Sequence, residues 1–274
     1  MGSQPRWKIV LGAVCIFAAT LAIVIAASIV SKAVPAPQQL QNLVNALLCL
    51  GGMALAMRFL AERWLGIDRQ ALGTHLEPGA WRRWLVGTLL GIGMAASAFV
   101  IAMLAGAFDL SGGFDGTPWS LVVISAVAMA MHALFEEVAF RAGLVGVLKE
   151  RFPPLVAIVV PAILFGAVHL KNPGATLLGA VNGAIVGIVF GLLYLAGRRP
   201  SLALVAGVHF GWNEALHRMG IPVSGLREAG AFMVAEPKQS IWSGFAFGLE
   251  ASPATTIVLT AVIAVSYLQF KKTH

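Results

Sequence analysis

Three short runs set ionisable or strongly polar side chains inside stretches that are otherwise apolar. They are Glu136-Glu137-x-x-x-Arg141, Phe165-x-x-x-His169 and His209-x-x-x-Asn213. Carboxylates and imidazoles are the side chains that most often move protons in catalysis. At bilayer depth each charged group costs at least about 2.5–3.5 kcal/mol. A chain that keeps two carboxylates, an arginine, two imidazoles and an amide there uses them together. The set points to an enzyme working inside the membrane.

The composition fixes the surroundings of these groups. Of 274 residues, 58% are hydrophobic and only 11% charged, and the mean hydropathy is +0.84. Soluble domains carry about 25% charged residues, so the chain reads as one integral membrane domain, 1–274, with no polar stretch long enough for a second. The net charge of +7 does not indicate nucleic acid, because the basic residues cluster at helix ends, where membrane topology places them. Cys15 and Cys49 lie in apolar runs without a C-x-x-C, which indicates neither a disulfide framework nor a thiolate metal site. The apolar run after Arg6 and Lys8 is too long for a signal-peptide core and is expected as a retained first span.

Apolar run length and breaker residues predict eight spans: 9–30, 43–60, 84–107, 119–148, 154–170, 175–196, 202–216 and 255–270. With the N-terminus cytoplasmic, thirteen basic residues fall inside, among them Arg63, Arg82, Arg198, Arg199, Lys271 and Lys272, against five outside. Both termini are therefore expected in the cytoplasm. The second connection, about 61–83, carries Trp64 and Trp81 and is expected to lie along the cytoplasmic interface. Residues 241–249 are apolar but too short to span and read as a loop packed on the bundle.

Helix rise then tests whether the polar runs meet. At about 1.5 Å per residue, Glu136, His169, His209 and Asn213 share one slab in the inner or middle bilayer. His209 and Asn213 share a helix face, as do Glu137 and Arg141. Glu136 is turned about 100° from Glu137, so Glu137 is expected to pair with Arg141 while Glu136 faces a cavity. His132, one turn earlier, lies on the side of Glu136. Taken singly, the Glu137–Arg141 pair reads as a structural ion pair, and His169 or Asn213 as an interhelical hydrogen bond. Gly166, Gly179, Gly183, Gly187 and Gly191 read as a close-packing stripe. The functional case rests on Glu136, which has no local basic partner.

These three motifs, in this order and on successive helices, resemble those of the CPBP intramembrane proteases, the type II CAAX prenyl endopeptidase and abortive-infection family. The resemblance covers about residues 119–216, the catalytic core helices, and residues 247–252 are also similar to bacterial members. It implies an all-α bundle of about eight transmembrane helices around a conical intramembrane cavity, and an endopeptidase acting on a membrane-associated protein or peptide, prenylated in some members. It further implies Glu136 as general base with His169 holding the water, His209 and Asn213 as oxyanion donors, and Glu137 with Arg141 in support. The same residues could instead hold a divalent metal such as zinc through Glu136, His169 and His209, so metal dependence stays open. No H-E-x-x-H, paired intramembrane aspartates or G-x-S-x-G is present.

Two other readings compete with the protease. A non-catalytic immunity or scaffold protein would keep the motif residues as interhelical bonds. A proton-coupled transporter would need a water path open to both faces, whereas a protease is expected to have a cavity closed on the outer side. The Ala-, Gly- and Arg-rich composition favours a bacterial inner membrane.

Overall fold

A computed structural model describes residues 4–273 except 76, 112, 198 and 233. Arg198, one of the orienting basic residues, lies outside the described residues, as does the side chain of Lys272.

Each predicted span is a helix. They are α1 (Arg6–Lys32), α2 (Gln38–Trp64), α3 (Ala80–Leu104), α4 (Trp119–Leu148), α5 (Pro154–Val168), α6 (Leu177–Leu195), α7 (Leu202–Arg218) and α8 (Pro253–Thr273). Prolines set several starts: Pro37, Pro118 and Pro153 stand just before α2, α4 and α5, where a missing N–H costs nothing. The Thr176 hydroxyl caps α6 by accepting the Gly179 N–H at 3.0 Å.

Two boundaries differ from the sequence reading. Helix α2 begins at Gln38 and runs to Trp64 through a wider, π-type last stretch, so the connection expected over 61–83 is shorter. The missed first turn carries Gln38, Gln41 and Asn42, which line a cavity instead of lipid. Among the described residues six helices, α1 to α6, are long and apolar enough to cross a membrane. Helix α7 is not, because His209, Asn213, Glu214, His217 and Arg218 dilute it. It has no need to be, since twelve of its seventeen residues are buried within the protein.

Residues 219–232 and 234–252 fold as a strap over one end of the bundle. Val234–Pro237 pairs antiparallel with Phe108–Ser111 in a two-stranded ribbon, Phe108 opposite Pro237, and two short 3₁₀ turns cover 245–247 and 249–251. The apolar segment 241–249 is thus a packed loop, as read from the sequence.

Small residues bring the site helices together. An added Cβ at Gly91 of α3 would stand 2.1 Å from the Val208 carbonyl oxygen, and one at Gly211 of α7 the same distance from that of Thr88. Backbone therefore touches backbone where α3 crosses α7. The predicted stripe on α6 packs in the same way, with Gly183 and Gly187 against Gly166 and Ala162 of α5.

Candidate active site

Helices α4, α5 and α7 deliver the three motifs to one cavity of about 450 Å³, lined by Glu136, His169, His209 and Asn213. The four residues expected to meet do so. His132 lines the same cavity.

The adjacent glutamates divide as their 100° offset requires. Glu137 is fully buried, its Oε2 3.0 Å from Arg141 Nε. Its other oxygen, Oε1, accepts the Nδ1–H of His209 at 2.8 Å. Glu136 faces the cavity, with Oε2 3.8 Å from His209 Nε2 and no hydrogen-bond partner in the protein. That separation is too long for a direct bond.

Arg141 is held in an unusual way. Its guanidinium carbon lies 4.6 Å from the centre of the Phe165 ring and 5.0 Å from that of Phe190. The buried Nη1 and Nη2 have no hydrogen-bond acceptor, so aromatic faces stabilise the cation there. Phe165 has a second task. Its carbonyl lies 2.6 Å from His169 Nδ1, and because a carbonyl can only accept, Nδ1 carries the proton and Nε2 keeps a free lone pair. The phenylalanine one turn before His169 thus serves both the arginine and the histidine.

Asn213 lies one turn beyond His209 and is buried, with its Nδ2 3.4 Å from Met129 Sδ. Sulfur is a weak acceptor, so this amide is easily redirected to a better one. Where α4 leaves Glu137 it widens into a π-type stretch, Val138–Val145, that carries Arg141. Such stretches are frequent at functional sites.

The sequence missed several contributors. Phe190 gave no signal, being one apolar residue on an apolar helix. The bond from His209 to Glu137 spans two helices and is invisible to spacing on one. The strap also enters the site: Glu250 accepts from Trp212 Nε1 at 3.2 Å and from the Ser224 hydroxyl at 2.8 Å, while Glu228 accepts from Asn42 at 2.6 Å and Ser125 at 2.8 Å.

Lys32, Gln38, Asn172, Ser224 and Glu228 line the cavity, so it extends to the bundle end carrying the α1–α2, α5–α6 and α7–α8 connections. The strap folds over that end.

Glu136, His169 and His209 are the residues a metal would use. Among the described residues no group of three or more His, Cys, Asp or Glu side chains is arranged to hold an ion.

The fold and this buried acid–base centre define a polytopic helical membrane protein with the equipment of a hydrolase. Residues 117–215, from the start of α4 almost to the end of α7, match the family model of the Rce1-like type II CAAX prenyl endopeptidases. The chain thus carries a domain of that type, and the match contains all three motifs. It supports a protease-type enzyme with a membrane-associated protein substrate. No curated protein matches the chain.

Proposed function

We propose that this protein is an intramembrane endopeptidase in which Glu136 is the general base. The observation that carries the reading is Glu136 Oε2, a buried carboxylate oxygen without a protein partner in the cavity that also holds His169, His209 and Asn213. A water between Glu136 and His169 Nε2 gives its proton to Glu136 as its oxygen attacks the peptide carbonyl. Asn213 Nδ2 is one donor for the oxyanion, and His209 as the imidazolium is the other, donating from Nε2 while its Nδ1–H stays with Glu137. Each such donor is typically worth about 2.7–4 kcal/mol in the transition state. The C–N bond then breaks, and Glu136 returns the proton to the leaving amine. Glu137 and Arg141 fix the His209 ring and the α4 backbone.

In this reading the catalysis is metal-independent and the substrate is a membrane-associated protein or peptide. Both termini lie in the cytoplasm of a bacterial cell, a topology that cysteine accessibility at residue 4 and residue 271 tests. The function itself is tested by comparing the peptides of membranes holding wild type or Glu136→Gln. Identical profiles would leave a scaffold role. Farnesylated and unmodified forms of one C-a-a-X peptide decide whether prenylation is required.

A further inference from the structure

Polar groups at the strap end of the cavity are nearly all engaged. Glu228 is held by Asn42 and Ser125, Glu250 by Ser224 and Trp212, and Asn182 donates to the carbonyls of Glu250 and Ser252. Among the described residues that line the cavity, only two carry buried side-chain polar atoms with no hydrogen-bond partner in the protein. One is Glu136, and the other is His217, whose Nδ1 and Nε2 are both unbonded. His217 is 4% exposed, and a buried polar group left unpaired is costly enough to need a reason.

Its position supplies the reason. His209, Asn213 and His217 recur every four residues along α7 and all line the cavity. From His209 to His217 is about 12 Å along the axis, from the reacting centre toward the strap. A neutral imidazole offers one donor and one acceptor, matching the C=O and N–H of a peptide backbone. An extended chain covers about 3.3 Å per residue, so a substrate lying along α7 brings its backbone to His217 about three to four residues from the cleaved bond.

Resting on the endopeptidase reading above, we propose that His217 is a substrate-positioning residue. It binds the backbone of an extended peptide about three to four residues from the cleaved bond, on the side that points to the strap.

The test uses the full chain in lipid nanodiscs with quenched fluorogenic decapeptides of apolar sequence. The same peptides are also supplied shortened to two residues beyond the cleaved bond, from either end. Wild type, Glu136→Gln, His217→Leu and His217→Gln are compared. His217→Leu is expected to raise KM on the long peptides about tenfold with kcat within about twofold, and His217→Gln, which keeps a donor and an acceptor, to recover most of it. For wild type, one of the two shortened sets should show the same tenfold loss, and on that set His217→Leu should add nothing. A wild-type KM that ignores both truncations overturns the proposal even if His217→Leu does not fold. So does a His217→Leu penalty of equal size on every peptide, which marks a structural role. If wild type and Glu136→Gln are indistinguishable on all peptides, the endopeptidase reading fails and this inference with it.

Discussion

His209 Nδ1 lies 2.8 Å from Glu137 Oε1, joining α7 to α4 across seventy-two residues of chain. The other oxygen of the same carboxylate lies 3.0 Å from Arg141 Nε. Glu137 therefore neutralises a buried cation and also holds the Nδ1–H of His209. That leaves Nε2 pointing at Glu136. Two adjacent residues of one type thus do unlike work, because helix geometry turns one inward to the protein and the other to the cavity.

The difference is measurable. Glu137→Ala strands Arg141 in an apolar setting, a change that typically costs about 3–5 kcal/mol, and should lower the thermal midpoint strongly along with activity. Glu136→Gln removes no protein hydrogen bond of Oε2 and should melt like wild type while losing cleavage. Equal melting of the two variants contradicts the division of labour.

The α3–α7 crossing gives a second prediction. Gly211 sits between His209 and Asn213, and its missing Cβ is what admits the Thr88 carbonyl. Gly211→Ala should destabilise by about 1–3 kcal/mol through overpacking and reduce activity by tilting both donors. Gly51, with open space around it, is the control: Gly51→Ala should be neutral or stabilising by up to about 1 kcal/mol. Thermal melts in one detergent check both.

Strap docking should depend on pH through Glu228. Burial raises its carboxyl pKa, against the lowering effect of Ser125, Asn42 and Arg218. A raised acid stabilises the docked strap most below its unfolded value, and that contribution is lost as pH rises through the folded one. Asp115 behaves oppositely. Desolvation pushes its carboxyl up, but bonds from Thr117, Gly230 and Ala231 outweigh this and hold it at about 2. Its contribution is complete above 3.8 and fades only toward 2. Hydrogen exchange over residues 224–232, corrected for intrinsic rates, should therefore speed up as pH rises above the ordinary glutamate range. Glu228→Gln should flatten that rise, and an unchanged slope in the variant contradicts the assignment.

Metal dependence has its own outcome. Cleavage should survive exhaustive chelation of the nanodisc-embedded protein. Activity lost on chelation and restored by zinc alone contradicts the glutamate mechanism.

Much of this site was legible in the chain because the membrane makes polar residues conspicuous. Glu136, His169, His209 and Asn213 stood out against apolar runs, and helix rise placed them at one depth. The i,i+4 rule paired Glu137 with Arg141 and turned Glu136 away. What the sequence hid depends on contacts between helices. Phe190 is one apolar residue among many, and the glycines at 87, 91, 207 and 211 reveal a crossing only when both helices are placed. The polar first turn of α2 reads as connection because it faces a cavity, which hydropathy cannot distinguish from water. The ribbon joining 108–111 to 234–237 rests on pairing between distant short segments, which local patterning does not encode.

The proposed role of Glu136, activating water for peptide-bond cleavage, is tested by mass spectrometry of the peptides in membranes expressing wild type or Glu136→Gln at matched levels and matched thermal midpoints. Cleavage products are expected with wild type and not with Glu136→Gln. The same products at the same abundance from both proteins would show that Glu136 is not the base.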